Sequence, residues 1–324
     1  MKKYLYSLFI IASMIFISCS SGSSNSNAAA GDKVFKIGIL QLIEHDALDA
    51  SYRGFVDGLK EAGYEDGKNI IIDYQNAQGE QANCVTIGQK FVNDKSDLIL
   101  AIATPAAQAV ANLTKDIPIL VTAVTDPAAA KLVADNNFPG GNVSGTSDLT
   151  PVEAQIELLN EITPNLKTVG LLYCSSEQNS VFQMDIAKKK LDSMGIKYID
   201  ATVTSANEIQ QVVQSLVGKV EAIYTPTDNM IAAGMATVAL VAEPAKLPVV
   251  CGEGGMTMLG GTATYAISYY ELGKLTATQA VTILQGVKQP ADMPIETLQT
   301  FDLVVNTNMV NSIGITIPES LYNK

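Results

Sequence analysis

Leu98-Ile99-Leu100-Ala101-Ile102-Ala103-Thr104-Pro105 is an unbroken apolar run that ends on a hydroxyl and a proline. With no polar alternation, the run reads as a strand of a parallel sheet covered on both faces. Thr104-Pro105 then opens a helix, because proline suits the first helical turn, where its missing N–H leaves nothing unpaired. The same unit recurs to either side. Upstream, Val34–Leu42 is an apolar, β-branched strand candidate. It leads into a helix over Asp49–Ala62 that places Phe55, Leu59 and Ala62 on one face and closes at Gly63. Asn69–Tyr74 is the next strand, Ala82–Asn93 the next helix, and Ile117–Val124 a further strand.

The pattern restarts after Thr150-Pro151, with a helix over Val152–Ile162 and strands at Val169–Cys174, Tyr198–Val203, Ala222–Thr225 and Pro248–Cys251. The fold class is therefore α/β, with two doubly wound, Rossmann-like lobes in series. Lobe 1 is expected over residues 34–148 and lobe 2 over 149–255. The C-terminal part carries a helical stretch at Glu271–Gln285 and an extended one at Phe301–Val305. It is too short for a third domain and is expected to complete both lobes, about 256–287 joining lobe 1 and about 288–324 joining lobe 2.

Two such lobes facing each other form a hinged cleft that closes on a ligand, since open α/β sheets bind beyond the carboxyl ends of their strands. Several strand ends here finish in polar residues: Thr104-Pro105, Thr125-Asp126, Ser147-Asp148, Ser175-Ser176, Thr225-Pro226-Thr227-Asp228-Asn229 and Gly252-Glu253-Gly254-Gly255. Any one of them can be an ordinary helix N-cap. Their recurrence along both lobes points to a lined cleft.

Composition narrows the chemistry. The net charge of −12 excludes a phosphate-binding nucleic-acid surface, which needs clustered lysine and arginine. The one histidine, His45, cannot supply a multi-histidine metal site, and no metal or other cofactor is implied. No nucleophile elbow or phosphate loop is present; Gly252-Glu253-Gly254-Gly255 lacks the Lys-Ser or Lys-Thr that a phosphate loop carries, so an enzyme is not expected. Cys84, Cys174 and Cys251 are widely spaced, odd in number and read as buried hydrophobes.

The first residues form an address. Met1-Lys2-Lys3, an apolar run from Tyr4 to Ile17, and Ser18-Cys19 have the layout of an export signal, too short to span a bilayer comfortably. Phe16-Ile17-Ser18-Cys19 resembles a lipoprotein signal, which makes residues 1–18 the removed peptide and Cys19 the lipid anchor. The segment over residues 19–33 is Ser-, Gly- and Asn-rich and reads as a flexible tether. The protein is thus expected on the outer face of the cytoplasmic membrane, or in the periplasm or outer membrane.

Gly38-Ile39-Leu40-Gln41, Glu44-His45, Ala101-Ile102-Ala103-Thr104-Pro105-Ala106-Ala107-Gln108, Thr122-Ala123-Val124-Thr125-Asp126-Pro127 and Gly145-Thr146-Ser147-Asp148 resemble motifs of one family, in order. So do Thr225-Pro226-Thr227-Asp228-Asn229, Gly252-Glu253-Gly254-Gly255-Met256 and Ala291-Asp292-Met293-Pro294. The family is that of ABC-transporter substrate-binding proteins associated with tryptophan and tyrosine uptake. The resemblance implies the type I periplasmic-binding fold, a small-molecule ligand such as an aromatic amino acid, and a permease partner. A monomer is expected. The alternatives are a surface interaction protein or adhesin, or a binding protein for a branched-chain amino acid, nucleoside or other small molecule.

An amino acid's carboxylate is best met by N–H groups at a helix N-terminus beside a hydroxyl, which Thr104, Pro105 and Ala106 supply. Thr125, Ser175 and Ser176 are further donors. Asp148, Asp228 and Glu253 are the candidates for the ammonium, Asp228 foremost because Asn229 adjoins it. His45 and Tyr269 are candidates for the faces of an aromatic slot, with a solvated loop position the alternative for His45. At most one of Tyr269 and Tyr270 is expected to face the cleft, and Asp126 can be an N-cap.

Overall fold

Every residue of Leu98–Ile102 is buried, as a central strand between two helical layers requires. In the structure, a computed structural model, residues 33–323 are described; the leader, Cys19 and most of the tether fall outside them. The strands, in chain order, are β1 (Phe35–Gln41), β2 (Ile70–Asn76), β3 (Leu98–Ile102), β4 (Ile119–Val124), β5 (Val143–Ser147), β6 (Thr168–Cys174) and β7 (Lys197–Val203). They continue as β8 (Ala222–Thr225), β9 (Val249–Cys251), β10 (Ala263–Ala266), β11 (Glu296–Thr297) and β12 (Asp302–Val305). The helices are α1 (Asp46–Glu61), α2 (Gln81–Asn93), α3 (Thr104–Leu113), α4 (Val152–Ile162), α5 (Gln178–Met194) and α6 (Ile209–Leu216). After them come α7 (Asn229–Ala233), α8 (Met235–Ala242), α9 (Gly254–Leu259), α10 (Tyr269–Leu284) and α11 (Thr307–Ile313).

Two sheets result, ordered β11-β5-β4-β3-β1-β2 and β12-β10-β9-β8-β6-β7. Apart from the antiparallel β10–β12 pair, the paired strands run parallel. The inner orders β2-β1-β3-β4-β5 and β7-β6-β8-β9-β10 are the same winding used twice. In each the chain reverses its direction of growth beside the first strand, between β1 and β3 and between β6 and β8. Such a reversal leaves a crevice at the strands' carboxyl ends where a ligand can sit. One apolar core lies around the first sheet, while the second sheet has a separate core on each face. Cys84, Cys174 and Cys251 are free and buried in these cores.

The C-terminal part is shared differently from the expected boundaries. β10, expected with lobe 1, lies in the second sheet between β9 and β12, and β11, expected with lobe 2, lies beside β5 in the first. The reason is geometric: β10 directly continues the outward growth of the second sheet, so only the following helix is free to return. That helix, α10, packs along α1 in lobe 1, and two glycines allow the approach. A Cβ on Gly54 would lie 2.0 Å from the Tyr270 carbonyl oxygen, and one on Gly273 would lie 2.1 Å from that of Ser51. The chain thus crosses between lobes after β5, after β10 and after β11.

Candidate functional site

The crevices of the two sheets face each other around a small, nearly filled cavity. Lobe 1 contributes His45 and Leu48 beyond β1, Ala123 near the end of β4, Asp148 after β5, and Tyr269 at the start of α10. Lobe 2 contributes Thr227, Asp228 and Asn229 after β8, Ala232 in α7, and Glu253 after β9. Local forces place these groups. Gln41 donates from its side chain to the Ile43 carbonyl at 2.9 Å and to Asp49 at 2.6 Å, which fixes the loop that presents His45. Ala123 adopts a left-handed φ of 53° where the β4–β5 register shifts, turning the strand end toward the cleft.

The carboxylates of the cavity are not equivalent. Asp228 caps α7, accepting from the Ile231 amide at 2.8 Å, and its other oxygen accepts from the Cys174 amide at 2.6 Å and Ser180 at 2.7 Å. Glu253 caps α9, accepting from the Gly255 and Met256 amides at 2.5 and 2.7 Å. Both groups are saturated by the protein. Asp148 is different: one oxygen accepts from the Tyr269 hydroxyl at 2.7 Å, and the other, Oδ1, is buried with no partner. Burial pushes Asp148 up to about 6 and Glu253 up to about 7, and raises Asp228 as well. The lining holds these acids and no lysine or arginine, so the cavity favours a positive group.

Behind the wall lies Glu177, which takes no direct part in the lining. It accepts from the Asn229 side chain at 2.5 Å and from the Asn229 and Met230 amides at 3.2 and 3.0 Å. Burial, then the negative charge of Asp228, push it up to about 7. Sequence reading stopped one residue short of it, at Ser175-Ser176; its position just past β6 is the signal that marks it.

The expected residues fall into two groups. His45, Asp148, Asp228, Asn229, Glu253 and Tyr269 meet in the cavity. Tyr270 faces away and donates to Asp57 at 3.0 Å on the surface. Thr104 lines a neighbouring cavity with Asp126, Ala129, Ala130, Gln178, Asn179 and Phe182, and its hydroxyl is buried without a partner. Pro105 and Ala106 follow it into α3 and do not line the first cavity. Thr125 lies between the lobes, its hydroxyl 3.2 Å from that of Thr227, with the Gln183 amide donating to both at 3.3 and 2.7 Å. Ser175 and Ser176 are exposed, because the chain turns outward at the end of β6, and the Ser176 hydroxyl pairs with the Cys174 thiol at 3.0 Å. Asp126 accepts from the Ala128 and Ala129 amides at 3.0 Å and so holds its own turn.

The lobes are closed on one another. Besides the Thr125–Thr227 contact, His45 Nε2 lies 3.3 Å from Asn229 Oδ1. Gln108 donates to Gln178 at 2.6 Å, and Gln178 donates to the Ala129 carbonyl at 2.7 Å.

A family model described as ABC transporter substrate binding protein matches residues 36–324. The chain belongs to this family. As an ABC-transporter substrate-binding protein it works outside the cytoplasm, has the transporter's permease as its partner, and captures a solute without transforming it. Its fold is the type I periplasmic-binding fold, shared with sugar-binding proteins of other ABC transporters. It is similar to a tyrosine-binding protein of Clostridioides difficile (strain R20291), 41% identical over 97% of this chain and 93% of the relative. A Streptococcus pneumonia domain solved in complex with L-Trp is 41% identical, with a TM-score of 0.86 over 90% of this chain and 98% of that one. A ligand-free, open substrate-binding protein with adhesive properties from Clostridium difficile is 46% identical but reaches only 0.68, over 88% and 97% of the two chains. This binding protein superposes better on the L-Trp complex than on the open, ligand-free structure, although its sequence is nearer to the latter.

Proposed function

We propose that the ligand is an aromatic amino acid, held by its ammonium on Asp148 and with its ring beside His45 and Tyr269. The unsatisfied buried oxygen of Asp148, in a cavity lined by acids with no lysine or arginine, is the observation that carries this reading. A carboxylate left without a partner in a closed site is costly, and an ammonium removes that cost with a charge-assisted hydrogen bond. The relatives described as tyrosine-binding and as an L-Trp complex support the same ligand class. Loading closes the hinge, and the closed form is what the permease receives. Cys19, once the leader is removed, is the site of lipidation that keeps the protein at the membrane.

The chain contains no tryptophan, so added L-Trp is the only indole in the sample. Saturable enhancement or blue shift of its emission, reversed by L-Tyr or L-Phe and not by L-Leu, is the expected result. Displacement by leucine, nucleosides or sugars with no effect of aromatic amino acids would reject the ligand class. Metabolic labelling with a fatty-acid probe tests the anchor: the label should depend on Cys19 and disappear in Cys19→Ser.

A further inference from the structure

We propose that His45 Nδ1 is an acceptor for a donor on the ligand's side chain, so that the site selects phenol- or indole-bearing amino acids over a bare phenyl ring. The inference rests on the aromatic amino-acid reading above and deepens it.

The argument begins behind the cavity wall. Glu177 accepts from the Asn229 side-chain nitrogen at 2.5 Å, which orients that amide. Its nitrogen is turned to the carboxylate, so its oxygen, Oδ1, is the atom left to face His45 Nε2 at 3.3 Å. An amide oxygen can only accept. Nε2 must therefore carry the proton, because a neutral imidazole has one donor and one acceptor nitrogen. Burial lowers the affinity of the ring for a second proton, which keeps it neutral near pH 7. Nδ1 is then a bare lone pair, and it is buried without any partner in a residue that lines the cavity.

The groups around the ring leave that lone pair to the ligand. Leu48 and Ala232 in the lining have apolar side chains, the Tyr269 hydroxyl donates to Asp148, and the acids Asp228 and Glu253 are saturated by amides. Asp148 Oδ1 takes the ammonium in the proposed pose, so a second donor on the ligand has His45 Nδ1 as its buried, unpaired counterpart. Sites built to hydrogen-bond a substrate group discriminate strongly against the analogue that lacks it, since the buried acceptor is then left unpaired. Glu177 and Asn229 act as positioning residues that set the tautomer, and His45 is the group that reads the ligand.

The full-length protein would be titrated with L-Tyr, L-Trp and L-Phe, as wild type and as His45→Phe, which keeps a ring and removes the acceptor. Wild type should bind L-Tyr or L-Trp at least about tenfold more tightly than L-Phe. In His45→Phe the gap should shrink to about threefold or less, over and above any equal change for all three ligands from losing the His45–Asn229 contact. A second readout needs no variant: the chain has one histidine, so a ¹⁵N spectrum contains a single imidazole. Its Nδ1 should show the shift of an unprotonated nitrogen and move toward lower shift with L-Tyr or L-Trp but not with L-Phe. Equal affinity of wild type for all three, or an Nδ1 indifferent to L-Tyr and L-Trp, overturns the inference and leaves the aromatic reading standing. Failure of all three to bind overturns both.

Discussion

The Tyr269 hydroxyl donates to one oxygen of Asp148 at 2.7 Å while the other oxygen has no partner. Asp148 follows β5 and Tyr269 opens α10, so both stand where the chain passes between lobes. A ligand bound to Asp148 is thus held at the hinge side of the cleft, by the segments that must move when the lobes part. Tyr269 fixes the carboxylate's rotation and leaves a single acceptor aimed at the ligand.

This relationship separates Asp148 from Asp228. Asp148→Asn should weaken aromatic amino-acid binding by about 10- to 100-fold, the range for losing a hydrogen bond to a charged group, with little loss of stability. Asp228→Ala should act the other way round. It strips the cap from α7 and orphans the Cys174 amide, costing about 1–3 kcal/mol of folding stability. Titration calorimetry and thermal denaturation of the two variants check both. A larger affinity loss in Asp228→Asn than in Asp148→Asn would move the ammonium to Asp228.

Acidification should stabilise the empty protein and weaken its binding. Asp148 at about 6, Glu177 and Glu253 at about 7 and the raised Asp228 are all lifted by burial above ordinary carboxylate values. Between about pH 4.5 and 7 the folded state therefore binds more protons than the unfolded chain, and stability falls as pH rises through that window. His45, lowered by burial, opposes this below its ordinary value, one group against four. Binding has the opposite sign, because the ammonium needs the ionised Asp148. The unfolding midpoint of the ligand-free protein should rise from pH 7.5 to 5.5 while L-Trp affinity falls; both moving together would contradict the assignment.

The α1–α10 contact should tolerate no side chain. A Cβ on Gly273 would lie 2.1 Å from the Ser51 carbonyl oxygen, so neither backbone can yield without separating the helices. Gly273→Val is expected to cost about 3 kcal/mol or more, the upper part of the range for overpacking, and to lower the thermal midpoint by several degrees. Gly286→Ala is a control of another kind. It has open space around it but a φ of 69°, so it should lose only the smaller cost of a strained backbone.

Much of this was legible in the sequence, for reasons that also mark where legibility ended. Buried parallel strands announce themselves as continuous apolar runs, so β3, β4 and β6 were readable locally, as were the hydroxyls of Thr104 and Thr125 just past β3 and β4. β10 and β11 are 4 and 2 residues long, and their sheets are chosen by distant partners, which no local pattern encodes. At the site, strand-end position picked out Asp148, Asp228 and Glu253 alike. What distinguishes them is how many N–H groups each oxygen meets, and that depends on where helices α7 and α9 begin relative to the carboxylate. Ser175 and Ser176 were chosen for their hydroxyls, yet the turn after β6 points them to solvent and delivers Glu177 inward instead.

The closed form should depend on Gln178. Standing at the start of α5 in lobe 2, it donates to the Ala129 carbonyl at 2.7 Å and accepts from Gln108 at 2.6 Å, both in lobe 1. Gln178→Ala removes both bonds but leaves the Gln108 side chain its 3.1 Å bond to the Ala130 carbonyl, so no donor is stranded there. At about 0.5–1.5 kcal/mol each, the pair biases the lobes toward closure by about 1–3 kcal/mol. Ligand binds the closed form, so removing this bias should weaken affinity by about 5- to 150-fold without touching a residue that lines the cavity of Asp148. Small-angle scattering should show the ligand-free variant more extended than wild type, with saturating L-Trp bringing the two together. An unchanged scattering profile with unchanged affinity would mean that the Thr125–Thr227 and His45–Asn229 contacts hold the lobes without Gln178.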